Sequence, residues 1–238
     1  MIYVVGIGPG EKSGRSFAAQ AALEACEVIA GYSAYIALIE ADFPDKPLIQ
    51  TGMRGEVERC RLAIEHARAG FCVAMVCSGD ASVYGMASLL LELADDDDEI
   101  VVVPGVTAAL SASALMGAPI SGDFCCISLS DLLTPWAVIE KRLRAAAQGD
   151  FPIALYNPSS HKRADYLAKA CDILLETLPK ETPCGIAQNI GRENQRHRIV
   201  NLCALRDIDV DMFTTVIIGN SMTLIKHGRL VTPRGYRK

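Results

Sequence analysis

The chain has 238 residues, of which 50% are hydrophobic and 21% are charged, a composition typical of a globular protein and not of a disordered one. Its net charge of −5 disfavours nucleic acid as a partner, because phosphate binding requires a basic surface. The longest apolar runs are shorter than the roughly 20 residues that span a bilayer. We therefore expect neither a nucleic-acid partner nor a membrane segment.

The nine cysteines are odd in number, and no two of them have the C-x-x-C spacing of a zinc or redox site. We expect reduced thiols in a cytoplasmic protein and no metal site. The first ten residues, MIYVVGIGPG, lack a basic segment ahead of a longer apolar stretch. They favour a first buried strand over a signal peptide.

In the first half of the chain, short apolar runs alternate with segments of helical period. The predicted strands are residues 2–5, 28–30, 48–50, 71–77 and 100–103. The predicted helices are residues 16–25, 56–69 and 86–93. This alternation predicts an α/β fold with a parallel sheet and helices on both faces.

The segment MGAPISG at residues 116–122 is rich in turn-forming residues and predicts a domain boundary. We place an N-terminal domain at residues 1–116 and a C-terminal domain at residues 117–238. In the second domain the predicted strands are residues 125–128, 151–156, 184–188, 198–201 and 215–219. Its predicted helices are residues 136–147 and 163–174.

Three loops with the character of ligand-binding loops follow predicted strands of the first domain. They are GIGPG at residues 6–10, SGDASVYG at residues 78–85 and PGVTAA at residues 104–109. Ligands of α/β sheets bind at the carboxyl ends of strands, and glycines let the backbone approach them. The carboxylate of Asp80 can accept hydrogen bonds from ribose hydroxyls or a ligand ammonium. A tight turn at the first loop and a helix cap at Asp80 are the structural alternatives.

A nicotinamide cofactor is disfavoured by two departures from its fingerprint. That fingerprint reads G-x-G-x-x-G and places an acidic residue at the end of the second strand. Here Pro9, Gly10 and Glu11 follow Gly8, and the second strand ends in Tyr32 without an acid. The sequence therefore disfavours an oxidoreductase with a nicotinamide cofactor. A non-catalytic cofactor sensor or scaffold is a further alternative.

Together the three loops resemble the tetrapyrrole methylase family over essentially the whole chain. The resemblance implies a homodimer of chains with two α/β domains, the first with a parallel sheet and the second with a mixed sheet. It also implies that S-adenosylmethionine binds in the cleft between the domains, where the active site lies. No metal is implied.

The same resemblance implies cofactor-binding residues in both domains. In the first domain they are Gly8, Pro9, Ser78, Gly79, Asp80, Val83, Tyr84, Thr107 and Ala108. In the second domain, the stretches LYNP, GIAQNI and the paired threonines imply Asn157, Asn189, Ile190 and Thr215.

Residues 123–124, 128–136, 211–215 and 232–236 resemble the subgroup that methylates precorrin-3B at C-17 and contracts the ring to precorrin-4. The alternatives are the cobalt-containing equivalent of the anaerobic route, acting on cobalt-factor III or cobalt-precorrin-3, and another precorrin methylase. Tyr32 and Met53 stand where relatives that methylate uroporphyrinogen have an aspartate and a lysine. The acid/base roles proposed for that pair therefore do not transfer.

Ring contraction requires a proton to leave a hydroxyl of the macrocycle, and Asp131, Ser130 and Tyr32 are the candidates for this step. A helix cap is the alternative role of the Ser130-Asp131 pair. Arginine clusters at Arg54, Arg59 and Arg61, and at Arg192, Arg196 and Arg198, suit an anionic ligand. For a polycarboxylate tetrapyrrole substrate we expect contacts from Arg54, Ser128 and Arg192.

Overall fold

The computed structural model describes residues 1–160 and 163–236, and the chain folds into two compact units. The first unit, Met1–Ala108, contains alternating strands and helices. In chain order these are β1 Ile2–Gly6, α1 Phe17–Ala25, β2 Val28–Tyr32, α2 Ser33–Ile36, β3 Leu48–Thr51, α3 Glu56–Arg68, β4 Val73–Cys77, α4 Ala87–Leu93 and β5 Ile100–Val103.

The five strands of the first unit form a parallel sheet in the order β3-β2-β4-β1-β5. One face packs against α3 and α4 through residues such as Ile64 and Leu90. The opposite face packs against α1 and α2 through residues such as Leu23 and Ile36. Burial on both faces explains why these strands are almost continuously apolar. The predicted parallel sheet with helices on both faces is confirmed.

Local chemistry fixes both ends of α1. The hydroxyl of Ser16 accepts a hydrogen bond from the backbone N–H of Ala19 at 3.1 Å, which is the geometry of an N-cap. At the other end, the ammonium of Lys46 donates to the carbonyls of Leu23 at 2.8 Å and Glu24 at 2.6 Å. A cation bonded to terminal carbonyls stabilises a helix end.

The second unit begins at Ala109 and has a mixed sheet. Its elements, with the helix that enters it, are α5 Ala108–Met116, β6 Gly117–Ala118, β7 Cys125–Ser128, α6 Trp136–Gln148, β8 Ile153–Tyr156, α7 Tyr166–Leu174, β9 Pro183–Gln188, β10 Arg196–Asn201, α8 Leu202–Leu205, β11 Thr214–Ile218, β12 Leu224–Lys226 and β13 Arg229–Val231. The main sheet has the order β10-β9-β11-β8-β7, in which only β7 and β8 are parallel. The predicted mixed sheet is confirmed.

A small sheet in the order β12-β13-β6 and the helix α5 complete the second unit. Ala112 and Met116 of α5 pack against Ala187, Ile217 and Leu230. This packing explains why α5 groups with the second unit, whereas the sequence places the boundary after Met116. The boundary between residues 116 and 117 stays a prediction. No helix within residues 1–160 and 163–236 is long and apolar enough to cross a membrane.

The core of the second unit provides a test of the fold. Ile139 on α6 is fully buried, whereas its neighbour Val138 is 37% exposed. We expect Ile139→Ala to lower the free energy of unfolding by about 2–5 kcal/mol, because it removes buried methyl groups and leaves a cavity. Val138→Ala is the control and should change it by less than about 0.5 kcal/mol. Urea denaturation measures both, and equal effects would contradict this packing.

Candidate functional site

The glycine loops after β1 and β4 are joined by their backbones. Gly8 donates its N–H to the carbonyl of Gly79 at 3.0 Å, and Gly79 donates to the carbonyl of Gly8 at 2.7 Å. β1 lies between β4 and β5 in the sheet, so the third loop, which follows β5, begins at the same edge. The three loops that the sequence singles out therefore lie side by side.

The carboxylate of Asp80 links the second loop to the third. Its Oδ1 accepts hydrogen bonds from the backbone N–H groups of Ser82 at 2.8 Å and Val83 at 3.2 Å. Its Oδ2 accepts one from the N–H of Gly105 at 2.9 Å. Asp80 does not cap α4, which begins at Ala87. The side chain is thus a fixed anchor for the loops, with part of its acceptor capacity already used.

Close backbone contact explains two of the glycines. A Cβ on Gly105 would lie 2.2 Å from the carbonyl oxygen of Gly79 and 2.5 Å from that of Gly6. Gly8 has φ +73, and a Cβ there would lie 2.5 Å from the carbonyl oxygen of Gly14. Any side chain at these positions would force the loops apart. Gly8 is therefore required by the loop itself, apart from any contact with a ligand.

Gly79 lies against the third loop. A Cβ added there would be 3.6 Å from Thr107 and 3.6 Å from the nitrogen of Ala108, which is ordinary contact distance. Gly79 is itself buried, so the second and third loops pack closely at this point. The other cofactor residues predicted in this unit lie on these loops and are half-buried or exposed: Pro9, Ser78, Val83 and Tyr84. The glycines and polar backbone groups of these loops suit an adenosyl cofactor.

A second polar cluster lies in the second unit, where β7 and β8 end. The amide of Asn157 donates to the hydroxyl of Ser128 at 2.9 Å. The same hydroxyl accepts from the backbone N–H of Ser130 at 3.2 Å. Because β7 and β8 are parallel neighbours, their carboxyl ends bring together residues that are far apart in sequence.

Asp131 is held by two residues that the sequence does not single out. Its Oδ2 accepts from the hydroxyl of Tyr166 at 2.5 Å, and its Oδ1 accepts from Nη1 of Arg163 at 3.1 Å. Arg163 Nη1 also donates to the hydroxyl of Ser130 at 2.8 Å. We call Ser128, Ser130, Asp131, Arg163 and Tyr166 the Asp131 cluster. The structure thus brings three predicted site residues into one network.

The Asp131 cluster shifts the proton affinities of its members. The hydrogen bond from Tyr166, together with the positive charge of Arg163, lowers the pKa of Asp131. The same hydrogen bond raises the pKa of Tyr166, because the phenolate would face the carboxylate. At neutral pH, Asp131 is therefore ionised and Tyr166 holds its proton.

The helix-cap alternative for Asp131 does not fit the structure. α6 begins at Trp136, and its N-cap residue is Pro135, which provides no side-chain cap bond. Between Asp131 and this helix, Leu132 and Leu133 are 58% and 93% exposed. Two exposed leucines beside a carboxylate form a surface that suits an apolar ring with polar substituents.

The remaining predicted residues lie elsewhere in the two units. Tyr32 ends β2 and belongs to the first unit with Arg54, which is exposed and has φ 68. In the second unit, Asn189 donates its backbone N–H to the carbonyl of Phe213, and Arg192 lies 4.9 Å from the Phe213 ring. Ile190 and Thr215, also in the second unit, are partly and almost fully buried, respectively.

No group of three or more His, Cys, Asp or Glu side chains within the described ranges could hold a metal ion. The two polar clusters described above are built from backbone amides, hydroxyls, carboxylates, a side-chain amide and a guanidinium group. Such groups bind and orient ligands and transfer protons.

Comparison with known proteins identifies the family. A sequence model of the Tetrapyrrole (Corrin/Porphyrin) Methylases matches residues 1–205. The chain is 46% identical to a probable cobalt-factor III C(17)-methyltransferase of Salmonella typhimurium, over 99% of both chains. It is 38% identical to a precorrin-3B C(17)-methyltransferase of Sinorhizobium sp, over 99% of this chain and 96% of the relative.

Solved structures share the fold. The methyltransferase CobJ superposes with a TM-score of 0.91 and 38% identity, over 98% of this chain and 99% of CobJ. A uroporphyrin-III C-methyltransferase from Thermus thermophilus, solved with S-adenosylhomocysteine, has a TM-score of 0.69 at 22% identity and covers 92% of this chain and 96% of its own. The chain therefore belongs to the tetrapyrrole methylase family and is an S-adenosylmethionine-dependent methyltransferase.

Proposed function

We propose that this enzyme methylates precorrin-3B at C-17 and contracts its ring to give precorrin-4, a step of cobalamin biosynthesis. The observation that carries the proposal is the Asp131 cluster, of which Ser128, Ser130 and Asp131 lie within the segment that resembles the C-17 methyltransferase subgroup. The 38% identity to the Sinorhizobium precorrin-3B enzyme over almost the whole chain supports it.

The second candidate substrate is the cobalt-containing equivalent, cobalt-factor III. The higher identity of 46% to the Salmonella relative, which bears that name, favours this candidate. Both substrates present the same carbon to be methylated and the same kind of carboxylate side chains. The residues that align the methyl group therefore serve either reaction.

S-adenosylmethionine supplies an activated methyl group. The protein's part in the transfer is to hold donor and acceptor in line and to exclude water. In the first unit the three glycine loops would hold the cofactor, with contacts from Thr107 and Ala108. In the second unit we propose contacts from Asn157, Asn189, Ile190 and Thr215.

For ring contraction, we propose that Asp131 accepts the proton of the substrate hydroxyl, with Ser130 orienting that hydroxyl. The depressed pKa keeps Asp131 ionised and ready to accept a hydrogen bond, although it makes the carboxylate a weak base. Tyr166 and Arg163 hold its two oxygens in place. Tyr32 remains a further candidate for proton transfer, and Ser128, Arg54 and Arg192 are candidates for substrate contacts.

We further propose that the enzyme is a cytoplasmic homodimer. The family resemblance supports the dimer, and the nine free cysteines support a reducing compartment. Light scattering coupled to size-exclusion chromatography measures the mass in solution. A mass of about 51 kDa, twice the 25.5 kDa of one chain, is expected.

The role of Asp80 in cofactor binding is tested by Asp80→Asn. The amide has a single acceptor oxygen, so it cannot keep all three backbone hydrogen bonds. We expect S-adenosylmethionine to bind about tenfold more weakly or worse, since one charge-assisted bond is worth about 1.5–3 kcal/mol. Calorimetry measures the affinity, and Asp97→Asn on the exposed surface is the matched control. Unchanged affinity in a folded Asp80→Asn enzyme would contradict the proposed role.

Asp131→Asn tests the proton acceptor. Asparagine keeps the shape of the side chain but is not a base, so product formation should slow by roughly 10²–10⁴ while cofactor affinity is unchanged. Asp123→Asn, on the exposed loop before β7, is the control. Because the pKa of Asp131 is lowered, its ionisation should leave kcat/KM flat between about pH 5 and 8. A folded Asp131→Asn enzyme working at the normal rate would exclude Asp131 from the step.

The substrate is identified by incubation with S-adenosylmethionine and either precorrin-3B or cobalt-factor III, followed by mass spectrometry. We expect one added methyl group on the preferred substrate, together with the spectrum of a contracted ring. Turnover of only the cobalt compound would select the second candidate. Turnover of neither would refute the proposed function.

A further inference from the structure

Arg59 on α3 is a buried cation in the first unit. It is 3% exposed, and its guanidinium donates from Nε to the hydroxyl of Thr51 at 2.9 Å and from Nη2 to the carbonyl of Gly52 at 3.2 Å. Its Nη1 faces the sulfur of Met86 at 3.7 Å. No Asp or Glu among the described residues forms an ion pair with it. A buried charge without a counter-ion is costly.

The guanidinium contacts residues at the carboxyl ends of two strands. Thr51 is the last residue of β3, and Tyr32, whose ring centroid lies 6.0 Å from Arg59 Cζ, is the last residue of β2. Both are at the carboxyl edge of the parallel sheet, where α/β folds bind ligands. Gly52 is exposed, and a Cβ added there would have no atom within 4 Å. Open space therefore adjoins the loop that Arg59 holds.

A purely structural role would make Arg59 a clamp for the loop after β3. A clamp of this kind needs only donors, and a neutral side chain could supply them without the cost of a buried charge. Arginine has five N–H donors, and within the part of the chain that the structure describes only Thr51 and Gly52 offer it oxygen acceptors. The guanidinium therefore has both charge and donors in excess of what the loop requires.

We propose that Arg59 binds a carboxylate of the tetrapyrrole substrate at the carboxyl ends of β2 and β3. This inference rests on the proposed function, because that function supplies a polycarboxylate ligand. The carboxylate would complete the hydrogen bonding of the guanidinium and neutralise its charge. Arg61, two residues along the same helix, is exposed and has a different role as a surface residue.

The test uses uroporphyrin, a tetrapyrrole with eight carboxylates, as a probe of binding by fluorescence titration. Arg59→Met should weaken its binding about 10- to 100-fold, the range of a charge-assisted bidentate contact. Because the substitution removes an uncompensated buried charge, Tm should stay the same or rise. Arg61→Met is the matched control and should leave both affinity and Tm unchanged.

Gly52→Asp provides a second variant that does not remove a buried side chain. The new side chain enters open space on the residue whose carbonyl accepts a hydrogen bond from Arg59. Its carboxylate should pair with the guanidinium, raise Tm and weaken uroporphyrin binding. Wild-type affinity in both folded variants, or no binding of uroporphyrin to the wild type, would overturn the proposal.

Kinetics separate this inference from the proposed function. If the wild type methylates precorrin-3B or cobalt-factor III and Arg59→Met leaves KM unchanged, the Arg59 assignment fails and the function stands. If the wild type methylates neither, the function fails, and the uroporphyrin titration still decides whether Arg59 binds a carboxylate.

Discussion

The backbone contact between the loops after β1 and β4 is the constraint on which the first unit depends. Gly8 and Gly79 exchange two hydrogen bonds, and Asp80 then ties the loop after β5 to the same point. This arrangement needs parallel strands in the order β4-β1-β5 and glycine wherever two backbones meet. Sheet order and loop composition are thus two consequences of one requirement, which is to bring three strand ends within hydrogen-bonding distance.

Much of the fold follows from the sequence because its strands are short apolar runs bounded by turn residues. The prediction for β7 matches residue for residue, and α1 is misplaced by one residue because Ser16 is its cap. Helix α5 was not predicted, since its sequence of alanine, serine and leucine has no polar face and is buried. The strands β6, β12 and β13 have only two or three residues each, too few to show a period.

The sequence likewise predicts some residues of the candidate site and misses others. The glycine loops can be predicted from the sequence because only glycine fits the close backbone contacts. Each loop follows a predicted strand, which indicates the edge of the sheet where a ligand binds. No local sequence pattern predicts that Arg163 and Tyr166 contact Asp131. They are more than thirty positions away in the sequence and are brought close by the pairing of β7 with β8. The sequence places Arg59 in an arginine cluster that suits an anionic ligand, but it does not reveal that Arg59 is buried. Long-range contacts and burial are properties of the folded chain.

Two charged groups in this enzyme differ in whether an opposite charge of the protein compensates them. The charge of Asp131 is balanced by Arg163, and its second oxygen accepts a hydrogen bond from Tyr166, so this carboxylate is stabilised without a ligand. The charge of Arg59 has no acidic partner among the described residues.

The whole chain carries −5 and repels a polycarboxylate at long range, so attraction must come from local cations. An exposed arginine such as Arg54 is screened by water and salt, whereas a buried guanidinium acts through a lower dielectric and attracts a nearby carboxylate more strongly. Burial of Arg59 therefore reduces the stability of the free protein and strengthens its attraction for an anionic ligand.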